Sequence, residues 1–125
     1  MTDRLTVRFA YQHGWQAVEN NRAIETFDSK VEAFAYVRAR GARVWLTWGR
    51  TVIAGQTVPF DFAAQFQQDD VGRIIKVLHG PSANTWFWTC YDGGARGTVK
   101  TKPQAVASVE AAYTQRIVRA GHIDR

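Results

Sequence analysis

The side chains that could act as a nucleophile, a general base or a metal ligand are few in this sequence. Cys90 is the only cysteine, and the three histidines, His13, His79 and His122, stand far apart without the spacing of metal ligands. Cys90 and His79 form the one conceivable pair of nucleophile and base, but their predicted strands place them too far apart in register. We therefore expect Cys90 to be a core residue, and we predict no catalytic centre, metal site or cofactor.

The glycine-rich segment Gly93-Gly94-Ala95-Arg96-Gly97 could suggest a loop that holds a phosphate group. It lacks the Lys-Ser/Thr pair of a P-loop and does not join a strand to a helix, so a hairpin turn fits it better. The pair Asp69-Asp70 could bind a cation, but a solvated connector is the simpler interpretation. An enzyme is therefore not predicted, and binding is the function class that stays open.

Aromatic and cationic side chains form the strongest local pattern, around the run Trp86-Phe87-Trp88. Alternation along this strand directs both tryptophans to the core and directs Phe87 and Tyr91 to the opposite face. Pairing His79 with Trp86 sets the register of the neighbouring strand. The core face then carries Ile75, Val77, Trp86, Trp88, Cys90 and Val99. The opposite face carries Ile74, Lys76, Leu78, Phe87, Thr89, Tyr91, Thr98 and Lys100.

Exposed rings beside cations suit the bases and phosphates of nucleic acids, and aromatic residues with arginine also suit protein interfaces. Alternatively, the rest of the chain or a second copy of it covers this face, because two-layer domains must bury such faces. The predicted contact residues are Lys76, Phe87, Tyr91, Arg96 and Lys100, with Arg38, Arg40 and Arg43 near the end of the first helix.

One helix-start motif, [ST]-Lys-x-[EQ]-Ala, occurs twice, as Ser29-Lys30-Val31-Glu32-Ala33 and Thr101-Lys102-Pro103-Gln104-Ala105. The hydroxyl can accept a hydrogen bond from a free backbone N–H, and the Glu or Gln can reach back three residues. Three short strand-like runs precede each motif. The sequence therefore predicts the α+β class, with two tandem β-β-β-α units whose antiparallel sheets are each covered by one helix.

The predicted organisation is a first unit over residues 1–55, a connector over 56–71 and a second unit over 72–125. In the first unit, Asn20-Asn21 forms a hairpin turn, a bulge adjusts the third strand, and Gly41 ends the helix. Two extra strands, 43–48 and 51–58, turn at Gly49-Arg50. The connector contains a short helical turn capped by Asp61. The last helix ends at Gly121.

Composition bounds the remaining possibilities. The hydrophobic content of 46% with many aromatic residues is enough for a core, and 16 basic against 11 acidic residues give a net charge of +5. The start Met1-Thr2-Asp3-Arg4 has no apolar stretch typical of a signal peptide, and no run reaches the roughly 18 apolar residues of a membrane span. We expect a cytoplasmic protein that does not enter membranes.

A tryptophan on one strand, an aromatic residue or valine on a later strand, and a Thr/Ser-x-x-Glu-Ala helix start, with Gln104 in place of Glu in the second copy, together resemble a known DNA-binding domain. This is the arm-type domain of phage integrases, which is related to the plant ethylene-response-factor domain. The matching residues are Trp15, Phe27 and Ser29 to Ala33, and again Trp88, Val99 and Thr101 to Ala105. The resemblance implies that the outer face of a three-stranded sheet enters the DNA major groove. The order of elements is also similar to short bacterial β-β-β-α domains of unknown function.

The function that we predict from the sequence is nucleic-acid binding without catalysis. The alternative is an inhibitor or adaptor from a phage or mobile element, whose cationic-aromatic face docks on an acidic surface of a host nucleic-acid-handling complex. A homodimer joined through the same face is a third possibility.

Overall fold

The computed structural model describes residues 4–123, and over this range the chain forms nine strands and two helices. In chain order they are β1 (Arg4–Ala10), β2 (Gly14–Glu19), β3 (Arg22–Phe27), α1 (Lys30–Ala39), β4 (Arg43–Val44), β5 (Thr47–Ile53), β6 (Gln56–Phe66), β7 (Asp69–Lys76), β8 (Trp86–Cys90), β9 (Arg96–Val99) and α2 (Lys102–Ile123). The α+β class is confirmed. The prediction of two tandem β-β-β-α units is wrong, because the two sheets contain four and five strands.

The described chain divides into two compact units, residues 4–45 with 113–123, and residues 46–112. The predicted boundaries at 56 and 72 therefore fall inside the second unit. Helix α2 is shared between the units, with residues up to Ala112 in the second and residues from Tyr113 in the first. Within residues 4–123, neither helix has an apolar stretch long enough to cross a bilayer.

The first unit contains a four-stranded sheet in the order β3-β2-β1-β4, in which β4 runs parallel to β1 and the other pairs are antiparallel. Asn20 and Asn21 form the predicted turn, with φ angles of 53° and 64° and Glu19 paired with Arg22. Positive φ at both positions is the requirement of a type I′ hairpin, and asparagine tolerates it. The bulge in β3 is also confirmed, because the register with β2 shifts at Ile24.

Helix α1 begins as its motif predicts. The Ser29 hydroxyl accepts a hydrogen bond from the Glu32 N–H at 3.1 Å and donates to the Glu32 carboxylate at 3.0 Å. The helix buries Phe34 and Val37 completely. Gly41, with a φ of 71°, follows the C-cap and ends the helix where predicted, because glycine adopts this conformation without steric cost.

The second unit is an antiparallel meander, β5-β6-β7-β8-β9, with consecutive strands as neighbours. The predicted connector is wrong: its residues form most of β6 and the first part of β7. The predicted turn at Gly49-Arg50 is also wrong, since the chain reverses at Ala54-Gly55, whose φ angles are 51° and 79°. Asp61 lies inside β6 and does not cap a helical turn.

The register between β7 and β8 differs from the prediction by three residues. Trp86 pairs with Lys76 and not with His79, and Ile74 pairs with Trp88. Backbone hydrogen bonds between Val77 and residues 84 and 85 close the intervening loop at this point. Because the side-chain period of a strand is two, an odd shift exchanges the faces of β7. The placement of Ile75 and Val77 in the core, and of Ile74 and Lys76 opposite, is therefore wrong.

Helix α2 also begins as its motif predicts. The Gln104 backbone N–H donates to the Thr101 hydroxyl at 3.3 Å, and the side-chain oxygen of Gln104, Oε1, accepts hydrogen bonds from the backbone N–H groups of Lys100 and Thr101, each at 3.1 Å. Its predicted end at Gly121 is wrong, because the helix continues to Ile123. A glycine inside a helix costs only about 1 kcal/mol, so it need not be a stop signal.

Candidate nucleic-acid interface

Helix α2 covers one face of the five-stranded sheet. It lies so close to β7 that a Cβ atom on Gly72 would be 2.6 Å from Cγ1 of Val109. Gly72 pairs with Cys90, which is buried in this core as predicted. Alternation along β8 then places Trp86 and Trp88 on the same covered face, which confirms this part of the sequence prediction.

We call the face opposite α2 the open face. Two rows of paired residues cross it: Arg73, Thr89 and Arg96 in one row, and Ile75, Phe87 and Thr98 in the next. On β8 this face therefore presents Phe87 and Thr89, and an arginine stands on each neighbouring strand. The core tryptophans fix this arrangement, because burying them forces the alternate residues of β8 outward.

Three of the predicted contact residues lie together on the open face. The side chain of Phe87 is 36% exposed and that of Tyr91 is 51% exposed, and Arg96 is exposed beside them. Tyr91 directly follows β8 and is close enough to Arg73 for an electrostatic interaction with its guanidinium group. Phe87, Thr89 and Tyr91 thus form an aromatic stripe, which is flanked by Arg73 and Arg96.

Arg73 is the residue that sequence reasoning misplaced, since the predicted register put it opposite Asp92 on the covered face. Its Nε donates to Oδ1 of Asp61 at 2.8 Å, and its Nη2 donates to the other carboxylate oxygen. The Thr51 hydroxyl also donates to Asp61 Oδ1, at 2.7 Å. Asp61 is 2% exposed, whereas about a third of the Arg73 side chain reaches solvent. The guanidinium group is therefore held in a fixed orientation with one edge free for a ligand.

The titration of the pair follows from these contacts. The hydrogen bonds from Arg73 lower the pKa of Asp61 below its ordinary value of 3.8, although burial of the carboxyl raises it in part. Conversely, the hydrogen bonds to Asp61 raise the pKa of Arg73. Both groups are thus charged at neutral pH, so the guanidinium group beside the aromatic stripe is a cation whose charge is balanced by the buried Asp61 carboxylate.

The two predicted lysines stand at strand ends of the second unit. Lys76 ends β7 on the covered face opposite Trp86, and its Nζ lies 5.2 Å from the centre of the Phe60 ring. Lys100 is exposed and directly follows β9. The structure therefore does not bring Lys76 onto the open face, because the register shift of β7 turns it to the other side.

The remaining predicted arginines, Arg38, Arg40 and Arg43, belong to the first unit. Arg38 and Arg40 are exposed at the end of α1, and Arg40 forms a 3.8 Å ion pair with Glu19. Its guanidinium group also lies 5.8 Å from the ring centre of Tyr36. Arg43 is half-buried in β4. These contacts hold the Arg40 guanidinium group against Glu19 and Tyr36.

Groups suited to catalysis are scattered in the same structure. His79 is exposed in the loop after β7, whereas Cys90 is buried and its Sγ lies 3.5 Å from the Asp92 carbonyl oxygen. Among the side chains of residues 4–119, no three of His, Cys, Asp or Glu come together as a metal site. What the described site can do chemically is stack rings and pair with anions.

A simple sequence signal existed for the missed strand β6. Apolar residues occupy every second position from Val58 to Phe66, namely Val58, Phe60, Phe62, Ala64 and Phe66. Pro59 and the nearby glutamines obscured this alternation. Recognising it would have predicted a strand next to β7 and would have placed Asp61 on the face opposite Phe62.

Comparison with protein-family models, curated proteins and solved structures found no significant match to this chain.

Proposed function

We propose that the protein is a non-enzymatic binder of unpaired nucleic acid and that the ligand lies on the open face. The observation that carries the proposal is the aromatic stripe of β8, with Phe87 and Tyr91 exposed and an arginine on each side. Exposed rings on a sheet stack against bases, and neighbouring cations pair with phosphates. A basic net charge of +5 favours the same class of ligand.

The spacing of the stripe favours single strands over a duplex. Phe87 and Tyr91 are four residues apart, which corresponds to about 13 Å along a strand. A flexible single strand can splay two of its bases to reach both rings, whereas the bases of a duplex are already stacked and paired. Binding to duplex DNA through the major groove, which the integrase resemblance implies, stays a prediction that the same assay tests.

Removal of the rings tests the proposal. Fluorescence anisotropy with labelled dT and rU oligonucleotides of about 12 nucleotides, at about 50 mM salt, measures the affinity. We expect Phe87→Ala and Tyr91→Ala each to weaken binding between about 5-fold and 160-fold, because one stacked base contributes about 1–3 kcal/mol. Tyr11→Ala is the matched control, since Tyr11 is 81% exposed in the first unit.

Two results would contradict the proposal. One is wild-type protein that binds neither oligonucleotide at low salt. The other is a loss of affinity in the Tyr11→Ala control as large as that in Phe87→Ala. A labelled duplex of the same length, measured in parallel, separates binding to unpaired strands from the groove binding that the resemblance implies.

A protein partner is the second candidate, and the edge strand β5 favours it. Among the described strands, β5 pairs only with β6, and Val52 and Ile53 near its end are 60% and 57% exposed. An exposed apolar edge can accept a strand from another chain. Pull-down from host lysate after nuclease treatment distinguishes the candidates. A protein that stays bound to wild type but not to a Val52→Lys/Ile53→Lys variant supports this second function.

A further inference from the structure

Three of the four lysines in the chain lie at one end of the five-stranded sheet. Lys76 is the last residue of β7, Lys100 follows the last residue of β9, and Lys102 begins α2. Since β7 and β9 are both antiparallel to β8, their carboxyl ends lie at the same end of the sheet. We call it the lysine end.

Acidic residues gather at the other end of the same strands. Asp69 and Asp70 begin β7, and Asp92 follows shortly after β8. The residues at the strand ends are therefore segregated by charge, basic where β8 begins and acidic where β8 ends, with Arg73 and Arg96 standing between them level with Thr89. A phosphate chain that lies along β8 is attracted toward the lysine end and repelled from the acidic end.

Two of the lysines are held in place by aromatic rings. The Nζ of Lys102 lies 3.7 Å from the ring centre of Phe62, and the Nζ of Lys76 lies 5.2 Å from that of Phe60. The ring of Phe62 also packs against Trp86, with centroids 6.3 Å apart. A ring beneath an ammonium group limits its positions without neutralising its charge, so both groups stay available to an anion.

The backbone around Phe60 points to the same place. Phe60 has a φ of 56°, in the left-handed region that bulky residues rarely adopt. It belongs to a large irregularity in the pairing of β5 with β6, in which residues 58–61 of β6 lie opposite Thr51 alone. The phenyl ring remains 49% exposed beside Lys76. Unfavourable backbone conformations of this kind cluster at binding sites, and this one coincides with the contact between the ring and the lysine.

We infer that the lysine end binds phosphate groups of the same nucleic-acid strand whose bases stack on Phe87 and Tyr91. The inference rests on the proposed function and gives the bound strand a path. Phe87 stands one residue along β8 from Trp86, which pairs with Lys76. A strand that leaves the ring of Phe87 therefore passes around this end of the sheet and meets the ammonium groups of Lys76 and Lys102.

The salt dependence of binding tests this path. The probe is a labelled dT oligonucleotide of about 12 nucleotides, titrated from about 50 to 300 mM salt. Each phosphate contact to a single strand adds about 0.7 to the slope of log affinity against log salt concentration, so Lys76→Gln/Lys102→Gln lowers the slope by about 1.4. Lys76→Arg/Lys102→Arg keeps the charges and restores the slope.

The control variant is Arg22→Gln/Arg119→Gln, which removes two exposed charges from the first unit. A slope that falls by the same amount in the control as in the lysine variant overturns the inference, because net charge would then explain the effect. An unchanged slope in the lysine variant also overturns it. A third result separates the two proposals. If Phe87→Ala weakens binding of the oligonucleotide but the lysine variant changes neither the affinity nor the salt slope, the proposed function stands and only the inferred path of the strand is wrong.

Discussion

Replacing either member of the Asp61–Arg73 pair should destabilise the protein, and the two replacements should differ in a defined way. Asp61 is 2% exposed and accepts hydrogen bonds from Arg73 and Thr51. The Arg73 side chain is 35% exposed. Arg73→Met therefore leaves a buried carboxylate with one hydroxyl partner, whereas Asp61→Asn leaves a guanidinium group that water can reach.

The burial of each partner sets the size of the effect. Breaking a fully buried ion pair costs about 3–5 kcal/mol, mostly because one charge stays buried without its partner. Partial exposure of Arg73 screens this pair, so we expect Arg73→Met to cost about 2–4 kcal/mol. Asp61→Asn keeps an acceptor for Thr51 and loses charge-assisted hydrogen bonds, so we expect about 1–2 kcal/mol.

Urea unfolding followed by tryptophan fluorescence measures both losses. With a slope of about 1.5 kcal/mol per molar urea, a loss of about 3 kcal/mol lowers the midpoint by about 2 M. An unchanged slope shows that the variant has changed stability and not compactness. Arg96→Met is a matched control, because Arg96 is exposed on the same face.

The pH dependence gives an independent check on the sign. The pKa of Asp61 is lowered in the folded protein, so its contribution is complete above the ordinary value of 3.8 and is lost as pH falls through the lowered pKa. In Arg73→Met the carboxyl can take up a proton at higher pH, so the gap to wild type narrows as the solution is acidified. A larger cost for Asp61→Asn than for Arg73→Met at neutral pH, or a gap that is constant between pH 7 and 3, would refute this reasoning.

Two further predictions concern the packing of α2 on the five-stranded sheet. Gly72→Ala should destabilise by about 1–3 kcal/mol, because its Cβ would lie 2.6 Å from Val109, whereas Gly49→Ala, with no atom within 4 Å, should have little effect on the urea midpoint. Glu110 is fully buried and accepts the Trp48 indole N–H at 3.1 Å. Glu110→Ala should therefore cost about 2–4 kcal/mol and alter tryptophan emission, and unchanged unfolding would contradict a structural role for this carboxylate.

Local patterns predicted the features that depend on neighbouring residues. Ser29 and Thr101 cap their helices as the repeated motif indicates, and Asn20-Asn21 turns its hairpin. The alternation of β8 also predicted that Phe87 lies opposite the core. Each of these features involves hydrogen bonds or side chains within about four positions, so the residue types alone specify them.

The errors concern partners that are distant in sequence. The predicted β7–β8 register differs by three residues from the observed one. This error placed Lys76 on the wrong face and left Arg73 out of the predicted contact residues. The predicted connector missed strand β6, and the predicted helix cap at Asp61 depended on that connector. An odd register error exchanges two faces that are both partly apolar, and the local sequence does not distinguish them.

The sequence by itself determined where the helices begin, which residues of β8 point away from the core, and a basic, aromatic-rich composition without a catalytic motif. Only the tertiary structure decided that Arg73 stands beside the aromatic stripe, that Asp61 orients it, and that the lysines collect at one end of the sheet. Local hydrogen bonds need only adjacent residues, whereas strand register is set by the combined packing of all the strands and the helix that covers them.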